Sequence, residues 1–181
     1  MKIRLFKRRN DRRFDVTTEV RPSSRVSRDS NVGRYCYIGE RCDITKSEIG
    51  NYVSIANNVT VGAGEHYVYE ISTNSIFYRN PYAELTSGEC SIGHDAWIGV
   101  DAIVRRGVKI GIGAVVGANS FVNSDVPDFG IVAGSPAKLI RYRFEEAQRG
   151  MILDSRWWEA DLNEARIIIS DLKARMSTQL G

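Results

Sequence analysis

Apolar side chains recur along this chain with a period of six. Val26, Val32, Ile38 and Ile44 begin the series, and Ile49, Ile55 and Val61 resume it after a five-residue step. Ile92, Ile98, Val104, Ile110, Val116 and Val122 continue it after a gap. Four residues after most of them sits a small or medium side chain: Ser30, Cys36, Cys42, Val53, Val59, Ala96, Ala102, Val108, Ala114, Ser120 and Val126. Glycine often follows the aliphatic residue, as at Gly33, Gly39, Gly50, Gly62, Gly93, Gly99, Gly111 and Gly117. Such a period fits neither an amphipathic helix nor an alternating strand. It predicts a parallel β-helix, in which short strands form the flat sides of a coiling prism. Three units make one turn, so residues eighteen apart stack at the strand spacing of ~4.8 Å. Aliphatic columns line the interior, the small residue fits near each corner, and glycine suits corners that need positive φ.

The expected fold is therefore all-β, a β-helix with an extruded loop and a C-terminal helical tail. Residues 1–25 read as a basic lead-in, 26–140 as the β-helix domain with an inserted loop at 67–91, and 141–181 as the tail. In the tail, Leu162, Ala165, Ile168, Ile169 and Leu172 recur at helical spacing. Asp154 or Ser155 is the expected cap, and Trp157 and Trp158 lead the helix as packing anchors.

Composition changes this picture little. The chain has 181 residues, 43% of them hydrophobic, which suits one sizeable core plus an accessory element. No apolar run approaches the ~20 residues of a membrane helix, and the N-terminus lacks a signal-peptide core, so a cytoplasmic protein is expected. Cys36 and Cys42 fall on the small inward position of successive units and read as space-filling. With Cys90 the count is three and no CxxC pair occurs, so neither a disulfide framework nor a zinc knuckle is expected. Charge is uneven: residues 1–28 carry ten Lys or Arg against Asp11, Asp15 and Glu19. A solvated cap on the prism is favoured over an anion-seeking arm, because nucleic-acid binding wants stacking aromatics and only Phe6 and Phe14 are present there.

Candidate chemistry lies where the rhythm breaks. Loops inside regular arrays commonly carry catalytic groups, and a rigid prism can aim them. Gly62-Ala63-Gly64-Glu65-His66 leads into this one. His66 stands at the break, and histidine is the side chain suited to proton abstraction near neutral pH. His94, in an outward repeat position, reads as a surface or satisfied-core residue.

Gly64-Glu65-His66, the loop segment 71–77 and the run 92–99 together resemble the xenobiotic acetyltransferase branch of the hexapeptide acyltransferases. The exit segment 125–141 and Arg156-Trp157-Trp158 resemble that branch as well, so the likeness covers roughly residues 26 to 172. It implies a left-handed coil, a homotrimer, and acetyl-CoA held in a groove between neighbouring prisms. His66 matches the catalytic base. Val100 and Ala118 match positions whose backbone bonds the pantetheine arm, Asn123 a position near the nucleotide, and Lys138 and Arg141 the cations at the CoA phosphates. Trp97 resembles a tryptophan near the reacting end. Ser124 stands where the family usually has lysine, and Ser75 where it has proline. The resemblance implies transfer of acetyl to a hydroxyl. Tyr67, Tyr69, Tyr78 and Tyr82 favour a sugar of a surface polysaccharide as acceptor. The alternatives are an antibiotic of the streptogramin or chloramphenicol type and the amine of an amino sugar.

Other chemistries hosted by this fold fit less well. A zinc carbonic anhydrase needs three histidines around the metal and the chain has two, so no metal is expected. Nucleotidyl transfer is not expected because no α/β nucleotide domain precedes the coil. A non-catalytic trimeric binding module would account for the basic residues but leave His66 and the loop idle.

Overall fold

The structure, a computed structural model, describes residues 14–178, so the basic run through Arg13 lies outside the described residues. Each six-residue unit contributes a strand of only two residues, an outward one followed by the inward aliphatic, as in Ser54–Ile55 and Trp97–Ile98. The strands stack into three sheets, one per side of a parallel β-helix. Sheet 1 contains Glu19–Val20, Tyr37–Ile38, Ser54–Ile55, Trp97–Ile98, Val115–Val116 and Gly130–Gly134, and ends on the antiparallel strand Ala137–Tyr142. Sheet 2 stacks Arg25–Val26, Asp43–Ile44, Thr60–Val61, Ile103–Val104 and Phe121–Val122. Sheet 3 stacks Asn31–Val32, Glu48–Ile49, Ser91–Ile92 and Lys109–Ile110.

Register follows the repeat arithmetic. Partners are 18 residues apart in regular turns, as in Ile98↔Val116, and 17 apart across the short unit, as in Ile44↔Val61. Across the gap they are 43 apart, as in Val61↔Val104, yet the inward column is unbroken. Ile44, Val61 and Val104 are fully buried in that column, and Ile38, Ile55, Ile98 and Val116 in the column of sheet 1. Cys36, Cys42 and Cys90 are buried free thiols, and burial pushes Cys36 up to about 11, as expected of inert filler.

Three features differ from the sequence reading. The coil starts one unit early, because Glu19–Val20 pairs with Tyr37–Ile38. Val20 extends the series upstream, but the charged Glu19 and Arg21 beside it, with Arg21 paired to both Glu19 and Glu40, obscure the pattern. Glycines after the aliphatic residue do not supply positive φ, Gly62 excepted. The left-handed residues lie two positions later, at Tyr35, Arg41, Tyr52, Asn58, Asp95, Asp101 and Asn119 among others. Those glycines permit close stacking instead: a Cβ on Gly99 would lie 2.6 Å from the Ala118 nitrogen and 2.8 Å from the Val116 oxygen.

The tail differs third. Two helices, Glu146–Ser155 and Leu162–Thr178, flank a short turn at Trp157–Glu159. Asp154 and Ser155 end the first helix, with Arg156 left-handed after it, and Asp161 caps the second by accepting from Asn163 and Glu164 N–H at 2.9 and 3.1 Å. The first helix escapes a periodicity reading because Met151, Ile152 and Leu153 are contiguous, and only Ile152 is buried. Both tryptophans are buried anchors. Trp157 packs on Tyr52, which stacks on Tyr35, and the Tyr52 hydroxyl donates to Ala160 O at 2.9 Å. The tail thereby covers the corner between sheets 3 and 1. Among the described residues no helix is long and apolar enough to cross a membrane.

Candidate active site

The corner between sheets 2 and 3 carries the excursion. The chain leaves after Val61 and rejoins at Cys90–Ile92, and the loop between is tied down by its own polar groups. Asn74 Oδ1 accepts from Ile76 N–H at 3.0 Å and caps a short turn at Ser75–Phe77. Asn80 caps the helix Pro81–Leu85, and the Tyr82 hydroxyl reaches Asp29 at 3.0 Å. Tyr67 N–H donates to the Tyr78 hydroxyl at 2.8 Å, and the two rings lie tilted against each other, 5.1 Å between centroids, beside His66.

His66 is exposed on the loop, with Nδ1 2.5 Å from the carbonyl oxygen of Thr73. A carbonyl oxygen can only accept, so Nδ1 carries the proton, and in the neutral ring Nε2 is left with its lone pair. That tautomer is the one a proton-abstracting imidazole needs. Just before it, Glu65 receives two parallel bonds from Arg105, each 2.7 Å.

The remaining candidates fall on other parts of the prism. Trp97 points outward from sheet 1 and is 55% exposed. Its outward column runs Trp97, Val115, Ile131, Arg141, so tryptophan and arginine stand on one face three strands apart, about 14 Å at the usual strand spacing. Lys138 pairs with Ala133 on the terminal strand and is exposed. Val100 and Ala118 stack one turn apart on the open corner between sheets 1 and 2, where Asn119 N–H donates to Val100 O at 2.9 Å. Asn123 is exposed on the corner between sheets 2 and 3, the His66 side. Five donor-site candidates thus share one face and its edge, while His66 and Asn123 occupy another edge. Among the described residues, no group of three or more His, Cys, Asp or Glu is placed to hold a metal.

No family model matches the chain. Among curated relatives, a chloramphenicol acetyltransferase of Escherichia coli is 35% identical over 138 residues, covering 70% of this chain and 66% of its own length. A galactoside O-acetyltransferase of Escherichia coli K12 is 34% identical over 128 residues, covering 67% of this chain and 59% of its own length. Of solved structures, a hexapeptide-repeat acetyltransferase from Vibrio cholerae complexed with acetyl coenzyme A aligns with TM-score 0.56 at 26% identity, covering 71% of this chain and 69% of that one. A maltose O-acetyltransferase from Clostridium difficile aligns with TM-score 0.57 at 26% identity, covering 71% and 67%. The chain belongs to the hexapeptide-repeat β-helix acetyltransferases. It spans about two thirds, 66%, of the length of the chloramphenicol acetyltransferase it matches. These relatives lend no support to polysaccharide biosynthesis, and they favour the antibiotic alternative over the sugar acceptor preferred from the tyrosines.

In this chain the second histidine is structural. His94 Nδ1 accepts from Asn51 N–H at 2.8 Å and its ring stacks on Trp158, 5.6 Å between centroids. Burial pushes its pKa below the ordinary 6.5, because the charged ring loses its hydration there. The unfolded chain therefore takes up a proton at higher pH than the folded one. The contribution of His94 to stability is complete above pH 6.5 and lost as pH falls toward its lowered folded value. Thermal melts from pH 7.5 to 5 should show His94→Asn, which keeps an acceptor without the titration, losing less stability than wild type. An equal loss in both proteins would exclude the coupling.

Sequence reading assigned no role to three residues that shape the site: Glu65, Arg105 and Arg106. Their one visible signal was the shortened unit at Ile44–Glu48, whose corner Arg106 fills. Arg106 is buried, with Nη1 donating to Lys46 O at 2.7 Å and Nη2 reaching Thr45 O and Gly62 O.

Proposed function

We propose that the chain is an acetyl-CoA-dependent O-acetyltransferase with His66 as general base. The observation that carries the proposal is the Nδ1–Thr73 O contact, which leaves Nε2 to receive a proton. An acceptor hydroxyl gives its proton to Nε2 as its oxygen attacks the thioester carbonyl carbon. The carbonyl of Thr73 faces the imidazolium so formed and stabilises it. Collapse of the tetrahedral intermediate breaks the C–S bond, and Nε2–H returns the proton to the departing sulfur. The developing oxyanion is held by backbone N–H donors of the coil or loop. No acyl-enzyme forms, because the thioester is already activated and bound beside the acceptor.

Acetyl-CoA is the donor, as in the Vibrio cholerae relative solved with it bound. The face running from Trp97 to Arg141 suits it: apolar at one end, cationic at the other, with Lys138 beside Arg141 for the phosphates. Val100 and Ala118 offer backbone groups along the open edge. His66 and this face belong to different sides of one prism, so a complete site is built by packing the loop edge of one copy against sheet 1 of another, as a homotrimer does. Val68, Tyr69, Ile71, Ile76 and Phe77 are exposed on the loop of a single chain, an apolar cluster of the kind that interfaces bury.

A chloramphenicol-type alcohol is the first acceptor, because chloramphenicol acetyltransferases are matched over 70% of this chain. Galactosides and maltose are the second, from the two sugar O-acetyltransferases matched. Thiol release from acetyl-CoA should depend on added acceptor and should be faster with chloramphenicol than with galactosides or maltose. The reverse order would move the assignment to a sugar, and the absence of CoA binding would overturn the enzyme reading.

A further inference from the structure

Arg105 and Arg106 are consecutive residues on the corner between sheets 2 and 3, in the turn that follows the loop. We propose that they are positioning residues for His66, connecting the loop's first limb to the rigid coil; the proposal rests on His66 being the base. Ile44, Val61 and Val104 stack in adjacent turns, so the corners after them stack too. The first of these is the short unit Thr45-Lys46-Ser47, and the second is missing because the chain departs as the loop. Arg106 reaches through the vacated layer. Its guanidinium donates to Thr45 O and Lys46 O of one turn and to Gly62 O of the next.

Arg106 is 7% exposed, its hydrogen bonds go to backbone carbonyls, and its Nε has no partner among the described residues. A buried cation without a carboxylate disfavours folding, and so do buried carbonyls left unpaired. Each need answers the other here. Gly62 is the last residue held to the coil by the regular ladder, its N–H donating to Val104 O at 2.9 Å. Its φ is +62°, and a Cβ there would sit 2.7 Å from Arg106 Nη2. Three residues on, Arg105 holds both oxygens of Glu65, whose N–H donates to Leu85 O at 2.8 Å. One dipeptide thus fixes both ends of residues 62–65, and His66 follows directly. The Thr73 contact orients the imidazole only within the loop; Tyr82 ties the far limb to Asp29 of the coil, and the limb that carries His66 is tied through Arg105 and Arg106.

Steady-state kinetics of the full-length protein test this. A misplacement of about 1 Å costs up to ~100-fold in rate. Arg105→Gln should lower kcat by roughly tenfold or more, with KM for acetyl-CoA within about twofold and the fold intact by circular dichroism, since exposed pairs contribute little stability. The charge-reversed pair Glu65→Arg/Arg105→Glu should recover most of the loss. Arg106→Gln should fall similarly if it folds, and Arg105→Gln with the reversed pair decides the matter if it does not. Unchanged kcat in Arg105→Gln, or no recovery in the reversed pair, overturns the proposal. His66→Ala measured alongside separates the two readings: if it stays active the base assignment has failed, and if it is inactive while Arg105→Gln is fully active only the positioning has failed.

Discussion

Replacing His66 with alanine should lower kcat/KM by roughly 10²–10⁴, the usual contribution of a positioned acid–base group. The fold should be untouched, because the side chain is exposed and its one hydrogen bond is to a loop carbonyl. Affinity for CoA should be nearly unchanged, since the surface assigned to the donor is made by sheet 1 and the His66 ring is not part of it. The loss should appear in kcat at saturating acetyl-CoA, with the background rate of thioester hydrolysis as the floor. A variant retaining more than about a tenth of wild-type kcat would remove His66 from the base role.

Gly99→Ala should be among the most damaging single methyls on the coil, and the one placed at the corner assigned to the donor. The added carbon would meet Ala118 N at 2.6 Å and Val116 O at 2.8 Å, and both are backbone atoms of the next turn. No side chain can swing aside, so the turns must separate at the corner where Val100 and Ala118 stack. Overpacking of this kind costs about 1–3 kcal/mol. Two readouts should move together: a lower urea midpoint and a raised KM for acetyl-CoA. An unchanged midpoint would show that the turns can part freely, contradicting the close stacking described above.

The coil was largely legible in the sequence because a six-residue period is rare and its cause is local. Each aliphatic residue from Val26 to Val122 needs only its own strand and corner to face inward, and the structure places them so. The reason for the glycines was misread. Positive φ is a property of one residue, whereas the approach of Gly99 to Ala118 exists only once turns are stacked. The first tail helix was missed because its contacts are with the prism, not within a self-evident stripe. In the candidate site, His66 stands out in sequence by its place at the break. Arg105 and Arg106 do not, since what they join is separated by forty or more residues in sequence and adjacent only through the coil.

The loop rejoins the prism in register, with Val61 stacked on Val104 across 43 residues where a plain turn needs 18. Closing that longer segment adds only about 0.8 kcal/mol of chain entropy, because the cost grows with the logarithm of length. An excursion this large is therefore nearly neutral for the scaffold. Length and sequence at this corner can change with little penalty while the face from Trp97 to Arg141 stays as it is. Under the proposed function, such a coil can keep one donor face, and His66 with its Thr73 partner, and exchange acceptors by varying the segment between Thr73 and Cys90.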